Sequence, residues 1–490
     1  MGRPYSKAQG SSAIVVAASD TPGVLKSRAD LVCVGTSTTG GDDVYINNAL
    51  GRADAVVLCP GTFWVSNSIS LDTGQSLSGY GPGSIIKVKN GKNANLNMIA
   101  NSDTTNGNDH IVVKNLKLDG NKANQTASNM NGIQFQNVGY SSVEGIWAES
   151  FTRTGIDLVT GCSYNRVLGC TARVNDYDGF REDGTCNTLV QCISRDNGRH
   201  GFHHYSGGGN VVGCIAVENR NNGFVTSGGT SGLNFKGNVA IRNDYCGIAL
   251  NDITSCLVIG NFVIDNSQGA HLSRPQIYLS GVGSGNTITG NLVRAIAVTT
   301  TLSGAHSIGA TDLTLASSTG FVVGGGITID ADGGSGKQET HRITNISGNV
   351  VTIESGLTNA QANGEDVAKP RAGYAIYIID ATVTASVIET NNLYEGGETG
   401  VIYCKDPSAI IRNNRGYNPV GISSITVGAS PFTYTAAASP ETVYVSGGTV
   451  SSITKGGNNF GLTSGGFNLE PYESVIVTYT VTPTMFKDVH

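Results

Sequence analysis

Between residues 154 and 205 the chain gathers carboxylates, imidazoles, guanidinium groups and a phenol at regular separations. With Gly155, Gly179 and Gly201 as reference points, Asp178 and His200 stand one position before a glycine. Asp157, Arg181 and His203 stand two positions after one, Asp183 and Tyr205 stand four after, and Arg199 adjoins His200. Side chains alternate between the two faces of an extended strand. If the residue directly after each glycine points inward, then Asp157, Arg181, Asp183, His203 and Tyr205 share one outward face across three repeats. Asp178, Arg199 and His200 border that face. Glu182 and His204 have inward parity and are expected to pair with each other or to sit at a turn.

Two chemistries suit this set. Cleavage of a uronate polymer by β-elimination needs a cation on the carboxylate, a base for the C5 proton and an acid for the leaving oxygen. Arg181 or Arg199, His203 or His200, and Tyr205 are residues of those types. Hydrolysis needs two carboxyl groups about 5–9.5 Å apart, which Asp157 with Asp183, or Asp178 with Asp183, could provide. The candidate catalytic residues are therefore Asp157, Asp183, His203 and Tyr205, and the candidate substrate contacts are Asp178, Arg181, Arg199 and His200. Taken singly, each has a plainer reading: an Asp before Gly is a turn residue, and a lone outward His is merely solvated. Their accumulation on one face favours a site.

The elements that must position them are visible as a repeat. NGI, TGI, DGF, HGF, NGF and CGI recur at Gly132, Gly155, Gly179, Gly201, Gly223 and Gly247, spaced 22 to 24 residues apart. In the same phase run GCTARVN, QCISRDN, GCIAVEN, GNVAIRN and GNFVIDN, which end on Asn175, Asn197, Asn219, Asn243 and Asn266. A third series is Asn165, Asn187, Asn210 and Asn234. The period is shorter than that of helical repeats, and each unit alternates apolar and polar residues between Gly and Asn. This predicts coils of three short strands stacked into a parallel β-helix. Ile133, Ile156, Phe180, Phe202, Phe224 and Ile248 form one inward column, and the Asn series forms an amide ladder. Cys170, Cys192 and Cys214 keep the same step, as stacked buried thiols would.

Composition agrees. Of 490 residues 67 are Gly but only 12 Pro, which means many tight turns without a collagen or linker pattern. Charged residues make up 14% and the net charge is −6. There is no basic run, so nucleic acid is disfavoured as a partner. No stretch reaches the ~18 apolar residues of a membrane span. The apolar run Ala13–Ala18 falls short of a signal peptide, so none is read. The chain is then expected to be already mature, exported another way or released by lysis, with an extracellular or virion location. No CxxC occurs, so no metal site is assigned. Ca2+ on outward Asp residues is the one cofactor considered, although no calcium-loop motif is present.

The opening GDDVYINNAL (Gly41–Leu50), followed by VVLCPGTFWVSNSISL, SLSGYGPGSIIKV and NLKLDGN, resembles the pectate-lyase-like β-helix superfamily over residues 41–295. The resemblance implies an all-β, right-handed parallel β-helix solenoid capped by an N-terminal helix. Residues 1–40 are expected to be an N-terminal segment and cap. The period is lost over 296–372, where period-two alternation predicts a small inserted β-domain. The last coils occupy 373–418, and 419–490 form a C-terminal β-domain. NDYDGFRED with NGRHGF (Asn175–Asp183 and Asn197–Phe202) resembles the paired motifs of mannuronan C5-epimerases and related alginate-active β-helices. That likeness implies catalytic acids at Asp183 and Asp157 and substrate contacts at Arg199 and His200. It departs at Thr154 and Val159, where the family has a catalytic Tyr and His. Terminal modules like this one resemble those of phage tailspikes, which implies a homo-oligomer, a trimer above all. The expected function is binding and cleavage of an acidic polysaccharide by lyase or glycoside hydrolase chemistry. The alternative is a non-catalytic glycan-binding or structural protein of a virion or cell surface: a decoration, adhesin or spike.

Overall fold

Each rung consists of three strands of about three residues, such as Arg166–Leu168, Thr171–Arg173 and Phe180–Glu182. Successive rungs pair in parallel, and among the described residues the result is three stacked sheets of 14, 10 and 11 strands. The chain is a right-handed parallel β-helix. The structure is a computed structural model and describes residues 13–126, 129–205, 207–229, 231–417, 422–437 and 440–489.

The short strands follow from the turns. The first and second sheets are joined at a residue in the left-handed region: Gly145, Gly169, Gln191, Gly213, Gly237 and Gly260 all have φ between 52° and 63°. Glycine adopts this conformation without Cβ strain, which accounts for much of its abundance. At the next corner non-glycine residues take it (Val174, Asp196, Glu218, Arg242 and Asp265), and each is followed by an asparagine of the ladder. That ladder runs as expected. Asn175, Asn197, Asn219, Asn243 and Asn266 are buried, and each amide binds the next at 2.8–3.0 Å. Their side-chain oxygens also accept backbone N–H groups at this corner, which would otherwise be buried without a partner.

The third sheet carries the inward column. Ile133, Ile156, Phe180, Phe202, Phe224 and Ile248 are paired in register and continue to Ile277 and Ile376. The Phe180, Phe202 and Phe224 rings stack at 4.7 and 4.8 Å. The cysteines of the ladder are free and buried. Their file passes into a second asparagine ladder that begins at Asn238 and continues through Asn261, Asn291, Asn391 and Asn414.

Two expectations need correction. The series Asn165, Asn187, Asn210 and Asn234 is not one ladder. Asn165 and Asn187 bond to each other in the interior. Asn210 and Asn234 are one position later in the register, opposite Thr188, and bond on the outside. The strands on either side keep the same 22-residue step, but Gly209 stands at the position of Asn187 and the asparagine comes one residue later, and a shift of one residue reverses the face. Likewise, residues 13–40 are not a separate segment. Ile14–Ala17 and Leu31–Val32 are strands of the first sheet. Residues 1–12 lie outside the described residues.

The helix Asp42–Leu50 closes the open end, with Ile46, Ala49 and Leu50 in the solenoid core. Its polar side chains cap edge strands directly. Asp42 accepts from the Trp64 N–H at 2.8 Å, Asp43 from Ser66 at 2.7 Å and Asn47 from Ser70 at 3.0 Å. These are donors that an uncapped edge would offer to another chain.

The insertion leaves after Leu292–Arg294, and the solenoid resumes at Tyr374–Ile378. It is a six-stranded antiparallel sheet with its own core of Leu313, Ile327, Ile329, Ile343 and Val351. Lys369 ties it to the solenoid through a buried ion pair with Asp265 at 2.9 Å. From Ile422–Ile425 to Thr484–Val489 two four-stranded antiparallel sheets enclose a third core around Val443, Ile453, Phe467 and Val477. The boundary expected at 418/419 lies outside the described residues.

Candidate active site

The outward residues of the third sheet form one file. Gln134, Asp157, Arg181, His203, Val225 and Ala249 are register partners in sequence. Asp183 and Tyr205 follow at the strand ends, and Asp178, Arg199 and His200 lead in from the preceding bend. All eight candidate residues thus fall on one stretch of surface, over three rungs.

They do not have the same access to it. Asp157, expected among the open catalytic acids, has a side chain that is 0% exposed, against 19% for Arg181 and 28% for Asp183. Outward parity sets the face and not the cover. Gln134 donates to the Asp157 carboxylate at 2.9 Å, and Arg181 is 3.6 Å from the same oxygen. The second oxygen, Oδ1, is buried without a hydrogen-bond partner. Burial raises the Asp157 pKa, and Arg181 and Gln134 only partly offset it.

Arg181 hangs between two carboxylates, 3.6 Å from Asp157 and 3.7 Å from Asp183. Both distances exceed the ~2.7–2.9 Å of a charge-assisted hydrogen bond. Its guanidinium also lies 4.9 Å from the Tyr205 ring centre. Arg199 is the opposite case. It donates to both oxygens of Asp178 at 2.8 and 2.6 Å, contacts the Tyr177 hydroxyl and lies 3.7 Å from the Tyr177 ring centre.

Asp178 is wholly buried, which by itself would raise its pKa. Hydrogen bonds from His203 and Arg199 outweigh that and hold it at about 2. It also accepts the His200 backbone N–H at 3.1 Å, so it has both the turn role and the network role. His203 Nδ1 is 3.3 Å from Asp178 Oδ2, and Nε2 is 3.1 Å from the Ser227 hydroxyl. Burial lowers the His203 pKa despite Asp178, which leaves the imidazole neutral near pH 7. Burial pushes His200 down to about 3, and its Nδ1 has no partner. The Tyr205 ring packs 4.0 Å from that of His203.

Glu182 and His204 stay inside the coil, 3.4 Å apart, with Glu182 also accepting from Gly184 N and Asn187 Nδ2. Among the described residues, Asp178, His200 and His203 are the one group whose ligand atoms come within 4.8 Å of one another as a metal site would require. The Asp178 carboxylate already holds the Arg199 guanidinium, so a metal ion there would have to displace it.

Sequence reasoning missed three participants. Gln134 occupies the Asp157 position one coil earlier, and aligning from Gly132 would have found it. Tyr177 beneath Arg199 had no periodic signal. Ser227, four residues after Gly223, extends the Asp183 and Tyr205 positions by one rung and faces a cleft of about 290 Å³ shared with His200, Asn222 and Asn251.

The comparisons show the fold, a parallel β-helix. The family model described as "Periplasmic copper-binding protein (NosD)" matches residues 150–309. No curated protein matches the chain. Among solved structures, the A-module of mannuronan C-5 epimerase AlgE6 from Azotobacter vinelandii is similar at 16% identity and a TM-score of 0.53. That match covers 78% of this chain and 97% of that one. The A-module of mannuronan C-5 epimerase AlgE4 from the same organism gives 16% identity, 77% and 97% coverage and a TM-score of 0.53. The enzymatically active domain of tailspike protein 2 from bacteriophage CBA120 gives 11% identity, 93% and 68% coverage and a TM-score of 0.48.

Proposed function

We propose that this chain binds an acidic polysaccharide along the outward face of its third sheet and cleaves it by β-elimination. The observation that carries the reading is Arg181: a partly open guanidinium, loosely held by two carboxylates, beneath Tyr205 and one rung from His203. Its unused donors suit a uronate carboxylate in bidentate contact. Pairing there acidifies the C5 proton. Neutral His203 takes that proton through the Ser227 hydroxyl, the electrons form the C4–C5 double bond, and O4 departs with a proton from Tyr205. This step uses the tautomer in which His203 Nδ1–H donates to Asp178, as in a catalytic triad, and Arg199, 2.5 Å from the same nitrogen, then keeps its N–H groups on the carboxylate. Asp157 and Asp183 act as positioning residues for Arg181. The burial of Asp157 disfavours it as a nucleophile or general acid, and hence disfavours hydrolysis through the Asp157–Asp183 pair. An extracellular or virion location and a trimeric assembly belong to the same proposal. The epimerase modules that share the fold are named for an acidic polymer, which is consistent with this substrate class.

The non-catalytic alternative, a glycan-binding or structural surface protein, draws on one observation. Asp178, Arg199 and His203 already satisfy one another, as a structural network would. The deciding experiment incubates the protein with mannuronan, polygalacturonate and neutral polymers and follows the absorbance of unsaturated uronate ends. Arg181→Ala is expected to reduce the rate about a hundredfold or more, the scale of losing a charge-stabilising donor. New reducing ends without unsaturation would refute elimination, and binding without turnover would establish the alternative.

A further inference from the structure

The outward file does not end at the candidate active site. From Ala249 it continues in register to Tyr278, Tyr377 and Tyr403. These three rings stack, Tyr278 on Tyr377 at 6.2 Å and Tyr377 on Tyr403 at 4.6 Å, with interplanar angles of 22° and 15°. All three are partly exposed. Tyrosines on consecutive rungs of a solvent-facing sheet present a continuous aromatic strip, and an inward core has no use for it.

The strip connects to the site. The cleft that His200 and Ser227 line also includes Arg274 and Tyr278. A second cleft, of about 240 Å³, shares those two residues and extends to Tyr377. Between the two regions Val225 and Ala249 give the file a small, apolar floor. Arg274 is exposed and its guanidinium lies 4.8 Å from the Tyr245 ring centre. Among the described residues it forms no ion pair. A cation over a cleft, with no carboxylate of its own, complements an anionic ligand.

We propose that Arg274 and the Tyr278–Tyr377–Tyr403 strip form a second, non-cleaving segment of the polysaccharide groove. Sugar rings lie across the exposed edges and hydroxyls of the stacked tyrosines, and Arg274 pairs with a uronate carboxylate between the strip and the cleaving residues. The inference rests on the function proposed above and adds the direction of the polymer and the residue that selects acidic chains. Tyr278 is three rungs from His203, about 14 Å at ~4.8 Å per rung. A pyranose repeat is about one rung long, so only a polymer or a long oligosaccharide reaches both segments.

The test measures dissociation constants for polygalacturonate, mannuronan and their trisaccharides with wild type, Tyr377→Ala and Arg274→Gln, each checked for an unchanged melting curve. Loss of one tyrosine contact or one charge-assisted contact is expected to weaken polymer binding about ten- to a hundredfold. If Tyr377→Ala does not fold, Tyr403→Ala on the last rung takes its place. Wild type that binds neither polymer overturns the proposed function together with this inference. Wild type that binds, with both variants within twofold of it, overturns this inference and leaves the proposed function standing.

Discussion

Asp157→Asn separates a functional residue from a structural one, because the two readings predict opposite signs of stability change. The Asp157 side chain is wholly buried, one of its oxygens has no partner, and its pKa is raised by burial. The attraction of Arg181 at 3.6 Å is worth about 4–5 kcal/mol before desolvation at an effective dielectric of ~20. The raised pKa means that desolvation exceeds this attraction. Because the folded carboxyl holds its proton more tightly than the unfolded one, the ionised form costs stability at neutral pH. Asparagine keeps the Gln134 hydrogen bond through its carbonyl oxygen and removes the charge, at the expense of an amide N–H in place of the unpaired oxygen. The expected balance is a gain of about 1–2 kcal/mol at pH 7, in the range of other changes that trade activity for stability. Urea unfolding at pH 7 and again below pH 4 measures it. The gain should shrink in acid, where the carboxyl is protonated in both states. Turnover, if elimination is correct, should fall as Arg181 loses an anchor. An Asp157→Asn protein less stable than wild type at pH 7 would refute the reasoning and make Asp157 a structural partner of Arg181.

Asn219→Ala removes the acceptor of the buried Asn197 N–H and a donor to the Ser194 carbonyl; at ~1–3 kcal/mol for each buried group left unpaired, chemical denaturation should show a loss of about 2–5 kcal/mol. Asn210→Ala, on the outer pair, should stay within about 0.5 kcal/mol. Stability should fall as pH drops from about 6.5 toward 3, because burial holds His200 at about 3 against an ordinary 6.5 and the unfolded chain protonates first; a further fall from about pH 4 to 2 follows from Asp178, held at about 2 against 3.8. Thermal melts across that range check both, and His200→Gln should reduce the upper part, the remainder coming from His203 and His271, which burial also lowers. Lys369→Met strands the buried Asp265 carboxylate and should cost about 3–5 kcal/mol, seen as earlier proteolysis around the inserted domain.

The periodic parts of the molecule were legible in the sequence, and the aperiodic parts were not. Ile133 to Ile248 could be read as a column because a β-helix repeats one environment at every rung, and Asn175 to Asn266 because one corner geometry demands one side chain. Strands Ile14–Ala17 and Leu31–Val32 precede the first phased glycine and carried no such signal. Parity identified the face of Asp157 but not its burial, since cover depends on how long neighbouring side chains lie. Arg274 and Tyr278 were invisible for a related reason. Their coil is longer, and Gln276 stands where the repeat has glycine, its side chain closing the amide ladder by accepting from Asn266 at 2.7 Å.

The inserted domain bears on function through where it leaves and rejoins the solenoid. A module placed between two coils ordinarily risks the register of everything beyond it, because a slip of one residue turns each strand over. Here the second amide ladder crosses the gap, with Asn291 bonding Asn391 at 2.9 Å, and the third-sheet strands on either side pair Tyr278 with Tyr377. The ladder therefore fixes the rotation of the rejoining coil, and with it the face on which Tyr377 and Tyr403 emerge. A solenoid that only needed closing could end after Leu292–Arg294. This one resumes in phase for two further rungs, and both place a tyrosine on the file that includes Asp157, Arg181 and His203.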